Sequence, residues 1–154
     1  MHIPMPTEAP TRAEIVATAR ACVDTPFRHQ GRLLGVGLDC AGLLRHIGEI
    51  HGLSPFPGYD FAAYGRYPRE AEVRRVLLSV MDRIPGISAR RPGDALLVVD
   101  DQQAVHMGIL AIAPEGYETF IHATERENKV VEHILDDFWR SKIRSVYRFR
   151  GLAD

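Results

Sequence analysis

The chain has 154 residues, with 19 Lys+Arg against 20 Asp+Glu and a formal net charge of −1. Hydrophobic residues make up 45% and charged residues 25%, which excludes a disordered tail, a fibrous repeat or a coiled coil. The balanced charge excludes a strong global field toward nucleic acid or anionic lipid, although the basic set is lopsided at 17 Arg to 2 Lys.

No stretch approaches the ~20 apolar residues of a membrane-spanning helix, so no membrane insertion is expected. The opening MHIPMPTEAP has neither the basic n-region nor the apolar h-region of a signal peptide, so the expectation is a chain that is cytoplasmic when synthesised. Two cysteines are no disulfide framework. Residues 1–154 read as a single domain with an irregular lead-in over 1–10.

Thr11 and Glu14 form a capping box. Ile15, Val16, Ala19, Cys22 and Val23 then repeat at helical spacing, which predicts a helix over 12–23 that stops before Pro26. Residues 26–38, with Gly31, Gly35 and Gly37, read as loop. Asp39 reads as the N-cap of a second helix, with Cys40 in its first turn, Leu43, Leu44 and Ile47 on its inner face and Gly52 at its end. A Pro- and aromatic-rich excursion fills 53–67. A third helix opens at Pro68 and ends before Pro85.

After Pro92-Gly93-Asp94 the period changes to two. Strands are predicted over 95–99, 104–112, near 117–122 and 129–134, with turns at 100–103 and 114–116. Residues 136–141 read as a helical turn holding Trp139, and 143–149 alternates like a half-buried edge strand. Helices first and an antiparallel sheet second define an α+β fold.

Cys40 is the sharpest chemical feature. A thiol in the first turn of a helix meets unpaired backbone N–H groups and the positive end of the dipole. Those same groups can hold an oxyanion, the Cys40 backbone N–H among them. On local features alone, a functional thiol and a buried filler both remain open. Cys22, on an apolar stripe, reads as core.

A nucleophilic cysteine needs an imidazole base and a third group to orient it. A hairpin centred on Pro114 places His106 directly opposite His122, on one face of neighbouring strands. Each histidine also reads as an ordinary hydrogen-bonded strand residue. Ligand types would allow zinc on Cys40, His106 and His122, but no close ligand pair supports it, so neither a metal nor a cofactor is expected. The clusters around Arg66, Arg69, Arg74 and Arg75 and around Arg140, Arg144, Arg148 and Arg150 read as solvated faces. No phosphate loop is present.

Taken together, Thr25-Pro26-Phe27-Arg28, Gly31 and Gly37-Leu38-Asp39-Cys40-Ala41-Gly42-Leu43-Leu44 resemble the cysteine motif of the NlpC-type bacterial and phage cell-wall peptidases. Pro92-Gly93-Asp94-Ala95-Leu96, Val105-His106-Met107-Gly108-Ile109 and Phe120-Ile121-His122-Ala123 resemble its later blocks in the same order, over about 11–149. The resemblance implies a papain-like fold with N-terminal helices packed on a central antiparallel sheet. It implies a cysteine peptidase cutting an amide in peptidoglycan stem peptides, usually the γ-D-glutamyl–diamino acid bond. Cys40 would be nucleophile, His106 base and His122 its orienting partner.

Phe27, Arg28, Arg32 and Arg66 would border the substrate, the arginines pairing with its carboxylates. The resemblance also points to a phage or prophage branch, whose members are associated with tail proteins and act at the cell wall. Three departures stand out: Phe27 replaces the usual tyrosine, Ala41 the usual serine, and Gln30-Gly31 the usual pair of glycines, in a loop about one residue longer. Two other functions are compatible with the residues. One is a catalytically weak or inactive tail assembly component, and the other is an amidase or acyl transferase of the same fold.

Overall fold

A computed structural model describes residues 8–61 and 64–154; most of the expected lead-in, residues 1–7, and Ala62-Ala63 of the excursion lie outside the described residues. Helix α1 (Arg12–Ala21) starts where the capping box predicts, Thr11 accepting from the Glu14 N–H. It ends at Ala21, two residues early, with Cys22 as its C-cap and Asp24 turned to φ 75. Within the expected loop two short strands pair, β1 (Arg32–Leu33) and β2 (Gly37–Leu38). They lead into α2 (Cys40–Ile50), capped by the Asp39 side chain on the Gly42 N–H. Helix α3 (Glu70–Val80) starts two residues after Pro68 and buries Val73, Leu77 and Val80.

The sheet contains β3 (Asp82–Ile84), β4 (Ala95–Val99), β5 (Val105–Ile112), β6 (Glu118–Thr124), β7 (Lys129–Ile134) and, after the one-turn helix α4 (Asp137–Arg140), β8 (Ile143–Arg148). Its order is β3-β8-β4-β5-β6-β7, and every pairing is antiparallel. The architecture is the expected α+β one.

The last strand corrects the sequence reading. Strand β8 is interior, flanked by β4 and by β3, and Val146 and Tyr147 on its two faces are both buried. The covering strand is the three-residue Asp-Arg-Ile segment, too short and polar to show alternation.

Each sheet face carries its own apolar layer. Met107, Ile109, Ile121 and Ala123 pack with Ile15, Val16, Leu43, Leu44 and Ile47 of α1 and α2. On the far face Leu96, Val98, Leu110, Phe120, Ile143 and Val146 form a smaller layer, with Trp139 of α4 packed on it. Asp94, fully buried at the head of β4, accepts from Arg12 at 3.0 Å and from Arg148 through two nitrogens at 2.8 Å, tying α1 and β8 to the sheet. Removing Asp94 would leave the buried Arg12 guanidinium without its carboxylate partner.

Candidate active site

The site is built where two strands part. The β5–β6 ladder begins only at Gly108↔His122. Before that point Val105–Met107 pair with β4 alone, and Ala123–Thr124 pair with β7 alone. The loop before α2 is pinned at this same end: the Phe27 N–H donates to the Asn128 carbonyl at 2.9 Å, and Phe27 bridges to Leu38. Cys40 therefore enters the fork from the helical side. Its sulfur is approached by the backbone N–H groups of Ala41, Cys40 and Met107. Met107 is the residue after His106, so the sulfur meets the backbone next to the imidazole, but Cys40 and the His106 ring make no hydrogen bond to each other among the described residues.

That environment does not yield a resting thiolate. Burial pushes the Cys40 thiol up to about 12, and the Asp39 charge pushes the same way, against the three N–H donors. At neutral pH the sulfur therefore carries its proton. Cys22, buried under α1 and donating to the Thr18 carbonyl, is raised to about 11 by burial alone.

The loop wall is tightly committed. Buried Asp39 accepts from the Gly42 N–H at 2.8 Å, the Gln30 N–H at 2.8 Å, Arg32 Nη1 at 2.9 Å and the Tyr64 hydroxyl. Arg32 also reaches Asp60 through Nε, the Gly31 carbonyl through Nη1 and the Tyr64 oxygen through Nη2, the last two at 2.9 Å. Gly31 and Gly42 make this possible, since a Cβ on Gly42 would lie 2.1 Å from the Gly31 carbonyl oxygen.

Of the residues expected to border substrate, Arg32 is thus already engaged, and Arg66 is paired with Glu125. Phe27 is half-buried against the helical core, and Arg28 is exposed with its stem over Gly37. Where Phe27 lacks a hydroxyl, the excursion supplies one on the residue preceding the cysteine, through Tyr64.

On the far face the two histidines are close, but in a different register from the expected one. His122 opposes Gly108 and lies diagonal to His106, with ring centroids 5.4 Å apart. The shift comes from the hairpin loop. Ala113 and Tyr117 close it, with Gly116 at φ 97; a three-residue loop of this kind centres the hairpin on Glu115. A two-residue shift preserves the face, as strand periodicity requires. A Cβ on Gly108 would meet the Ile121 carbonyl at 2.3 Å and His122 Cβ at 2.7 Å, so only glycine admits the β6 strand here.

His106 and His122 make no hydrogen bond to each other among the described residues. His122 Nε2 lies 3.0 Å from His133 Nε2, and His133 Nδ1 lies 2.9 Å from the Ile134 carbonyl. A carbonyl can only accept, so His133 carries a proton on Nδ1; when its Nε2 is unprotonated, His122 donates from Nε2. The buried His122 Nδ1 is then a lone pair without a partner. Burial holds His122 well below the usual histidine range, with His106 and His133 adding to the effect. Its ring stacks on Phe120 at 4.5 Å, and Trp139 stands edge-on to His106 at 5.5 Å.

His106 has a different partner, Asp100, whose Oδ2 lies 3.0 Å from His106 Nε2. Sequence reading treated Asp100 only as a turn residue. The signal was present, because Val98↔His106 pairing puts Asp100 on the same face and diagonal to His106. Trp139, His133 and Tyr64 were likewise passed over, since nothing local links them to residues 40 or 106. Among the described residues no group of three His, Cys, Asp or Glu side chains is placed to hold a metal ion, and no helix is long and apolar enough to cross a membrane.

This is a papain-like α+β fold, with a cysteine-bearing helix set into the mouth of an antiparallel sheet. More particularly it is the fold of the NlpC/p60 domains. The NlpC/p60 domain of the peptidoglycan hydrolase SagA matches with a TM-score of 0.57 and 22% identity, over 89% of this chain and 97% of that one. An NlpC/P60 family protein of Bacillus cereus ATCC 10987 matches at 0.60 and 18%, over 92% of this chain and 41% of that one. NlpC1 of Trichomonas vaginalis matches at 0.60 and 16%, over 96% and 47%.

By sequence, the chain is 26% identical over 142 residues to the gamma-DL-glutamyl hydrolase of Bacillus subtilis strain 168. It spans 90% of this chain but only 30% of that protein's length. No family model matches the chain. The resemblance to the NlpC-type peptidases, read from motifs, agrees with both the fold and this relative.

Proposed function

We propose that the chain is a cysteine peptidase that hydrolyses an amide of peptidoglycan stem peptides, the γ-D-glutamyl–diamino acid bond being the expected target. The observation that carries this reading is the fork, where Cys40 at a helix N-terminus meets the Met107 N–H beside a hydrogen-bonded His106. The name of the Bacillus subtilis relative supports a γ-glutamyl bond, and the name of the SagA domain supports a cell-wall substrate.

The chemistry follows from the protonation states. With its Nε2–H facing Asp100, His106 presents Nδ1 as a base; it removes the Cys40 proton as sulfur attacks the amide carbonyl carbon. The Cys40 backbone N–H donates to the oxyanion. Imidazolium Nδ1–H then passes its proton to the leaving amine as the C–N bond breaks, giving a thioester. Water, deprotonated by His106, adds to the thioester, and the sulfur leaves and regains a proton. A neutral resting thiol makes proton removal part of the attack and not a prior equilibrium. Of the arginines expected to border substrate, Arg28 is the one with no ion pair among the described residues, and it is exposed to meet a stem-peptide carboxylate.

The test is incubation with defined muropeptides followed by mass spectrometry. The expected result is amide cleavage by the native chain and loss of at least about 10⁴-fold in rate for Cys40→Ala. Absence of product from stem peptides of every wall chemotype would overturn the reading. A phage or prophage tail setting is a further proposal supported by the sequence resemblance, tested by finding the chain in purified particles.

A further inference from the structure

We infer that Asp100, and not His122, is the residue that orients His106. This rests on the peptidase reading above and deepens it. The third polar position on β6 is occupied, but its hydrogen-bonding capacity is committed elsewhere. His133 donates from Nδ1 to the Ile134 carbonyl, so in its neutral form it accepts at Nε2, and the single N–H of neutral His122 then points to His133. His122 keeps only a lone pair, and it makes no hydrogen bond to His106 among the described residues.

Asp100 has the opposite character. Its Oδ1 accepts from the Gln102 and Ala104 N–H groups, both at 2.9 Å, which locks the carboxylate in the β4–β5 turn. Its Oδ2 is left to accept from His106 Nε2 at 3.0 Å. Burial pushes this carboxyl up, but the bonds from His106, Ala104 and Gln102 outweigh it and hold the group below the usual range. Both side chains of the pair are mostly shielded, at 17% and 16% exposure, with Trp139 against the imidazole.

A carboxylate can only accept, so His106 carries its proton on Nε2 and its lone pair on Nδ1. The acceptor on the turn thus leaves Nδ1 as the unprotonated nitrogen, the one the proposed reaction uses. His122, stacked on Phe120, forms the floor beneath the ring. Asp100 acts through His106 and is a positioning residue, not one that touches substrate.

The test is the tautomer of His106 in the full chain labelled with ¹⁵N-histidine, its signal assigned by its absence in His106→Gln. The native chain is expected to show Nε2–H. Asp100→Asn keeps an amide oxygen for the two turn N–H groups but can present an NH₂ to the imidazole. It is expected to convert His106 to Nδ1–H, slow iodoacetamide alkylation of Cys40 about tenfold at pH 7.5, and lower kcat roughly 10²-fold or more with little change in KM. His122→Gln is expected to leave His106 as Nε2–H.

The inference fails if the native chain shows Nδ1–H, a result that needs no variant to fold. It also fails if Asp100→Asn leaves tautomer and alkylation as they were, or if His122→Gln inverts the tautomer. Failure of the peptidase reading looks different: no muropeptide is cut, while the tautomer and alkylation still report what Asp100 does to His106.

Discussion

The loop wall and the sheet wall of the candidate site hold their polar groups in opposite ways. On the loop wall, Asp39, Arg32, Tyr64 and the Gly31 carbonyl satisfy one another. On the sheet wall, His106 makes one hydrogen bond through its ring and His122 retains a bare nitrogen. The loop wall fixes the start of the helix that carries Cys40, and the sheet wall keeps the lone pair that the proposed reaction uses to move a proton. Stability and chemistry are therefore separable by mutation.

The largest effect on folding is expected at Asp39. Asp39→Ala removes the α2 cap and leaves the Arg32 guanidinium without its most buried partner, which should cost roughly 3 kcal/mol or more in urea denaturation. Asp100→Ala removes two turn hydrogen bonds and should cost only about 1 kcal/mol, while suppressing hydrolysis more strongly than its stability loss explains. Equal stability losses at the two positions would break the contrast.

Gly42→Ala comes next. A helix interior normally gains about 1 kcal/mol from this change, but here the added carbon would press on the Gly31 carbonyl. A net loss of about 1–3 kcal/mol is expected, and calorimetry showing a raised Tm would contradict the close approach.

On the sheet wall, the pH dependence of stability reports His122. Its folded-state pKa is depressed, so below about pH 6.5 the unfolded chain takes a proton that the folded chain refuses. This group's contribution is full above that pH. It falls by up to about 1.4 kcal/mol per pH unit on acidification, down to the folded-state value. His122→Phe should remove that increment, seen as a smaller difference between urea curves at pH 7.5 and 5.0; parallel curves for the two proteins would refute it.

The smallest effect is expected at Arg66, where Arg66→Ala exposes no buried group and should leave the melting temperature unchanged. A raised KM in that variant would show that Glu125 yields Arg66 to the substrate.

Much of this architecture was legible because it is local. The Thr11 and Asp39 caps, the apolar face of α2 and the alternation of β4 and β5 are set by side chains within a few residues of one another, so their periodicity and capping chemistry can be read in line. The placement of His106 and His122 on one face was also legible, since a two-residue register shift leaves the face unchanged. The short β3 and the paired β1 and β2 were not, because two or three residues carry no period.

By itself, then, the sequence determined the helical thiol, the strand histidines and the α+β order, all consequences of spacing along one chain segment. Tertiary structure decided which partners the ring nitrogens of His106 and His122 meet, that Tyr64 and Arg32 close on Asp39, and that β8 lies inside the sheet. Those outcomes depend on partners up to scores of residues away. A hydrogen bond's direction is fixed only when donor and acceptor are brought face to face.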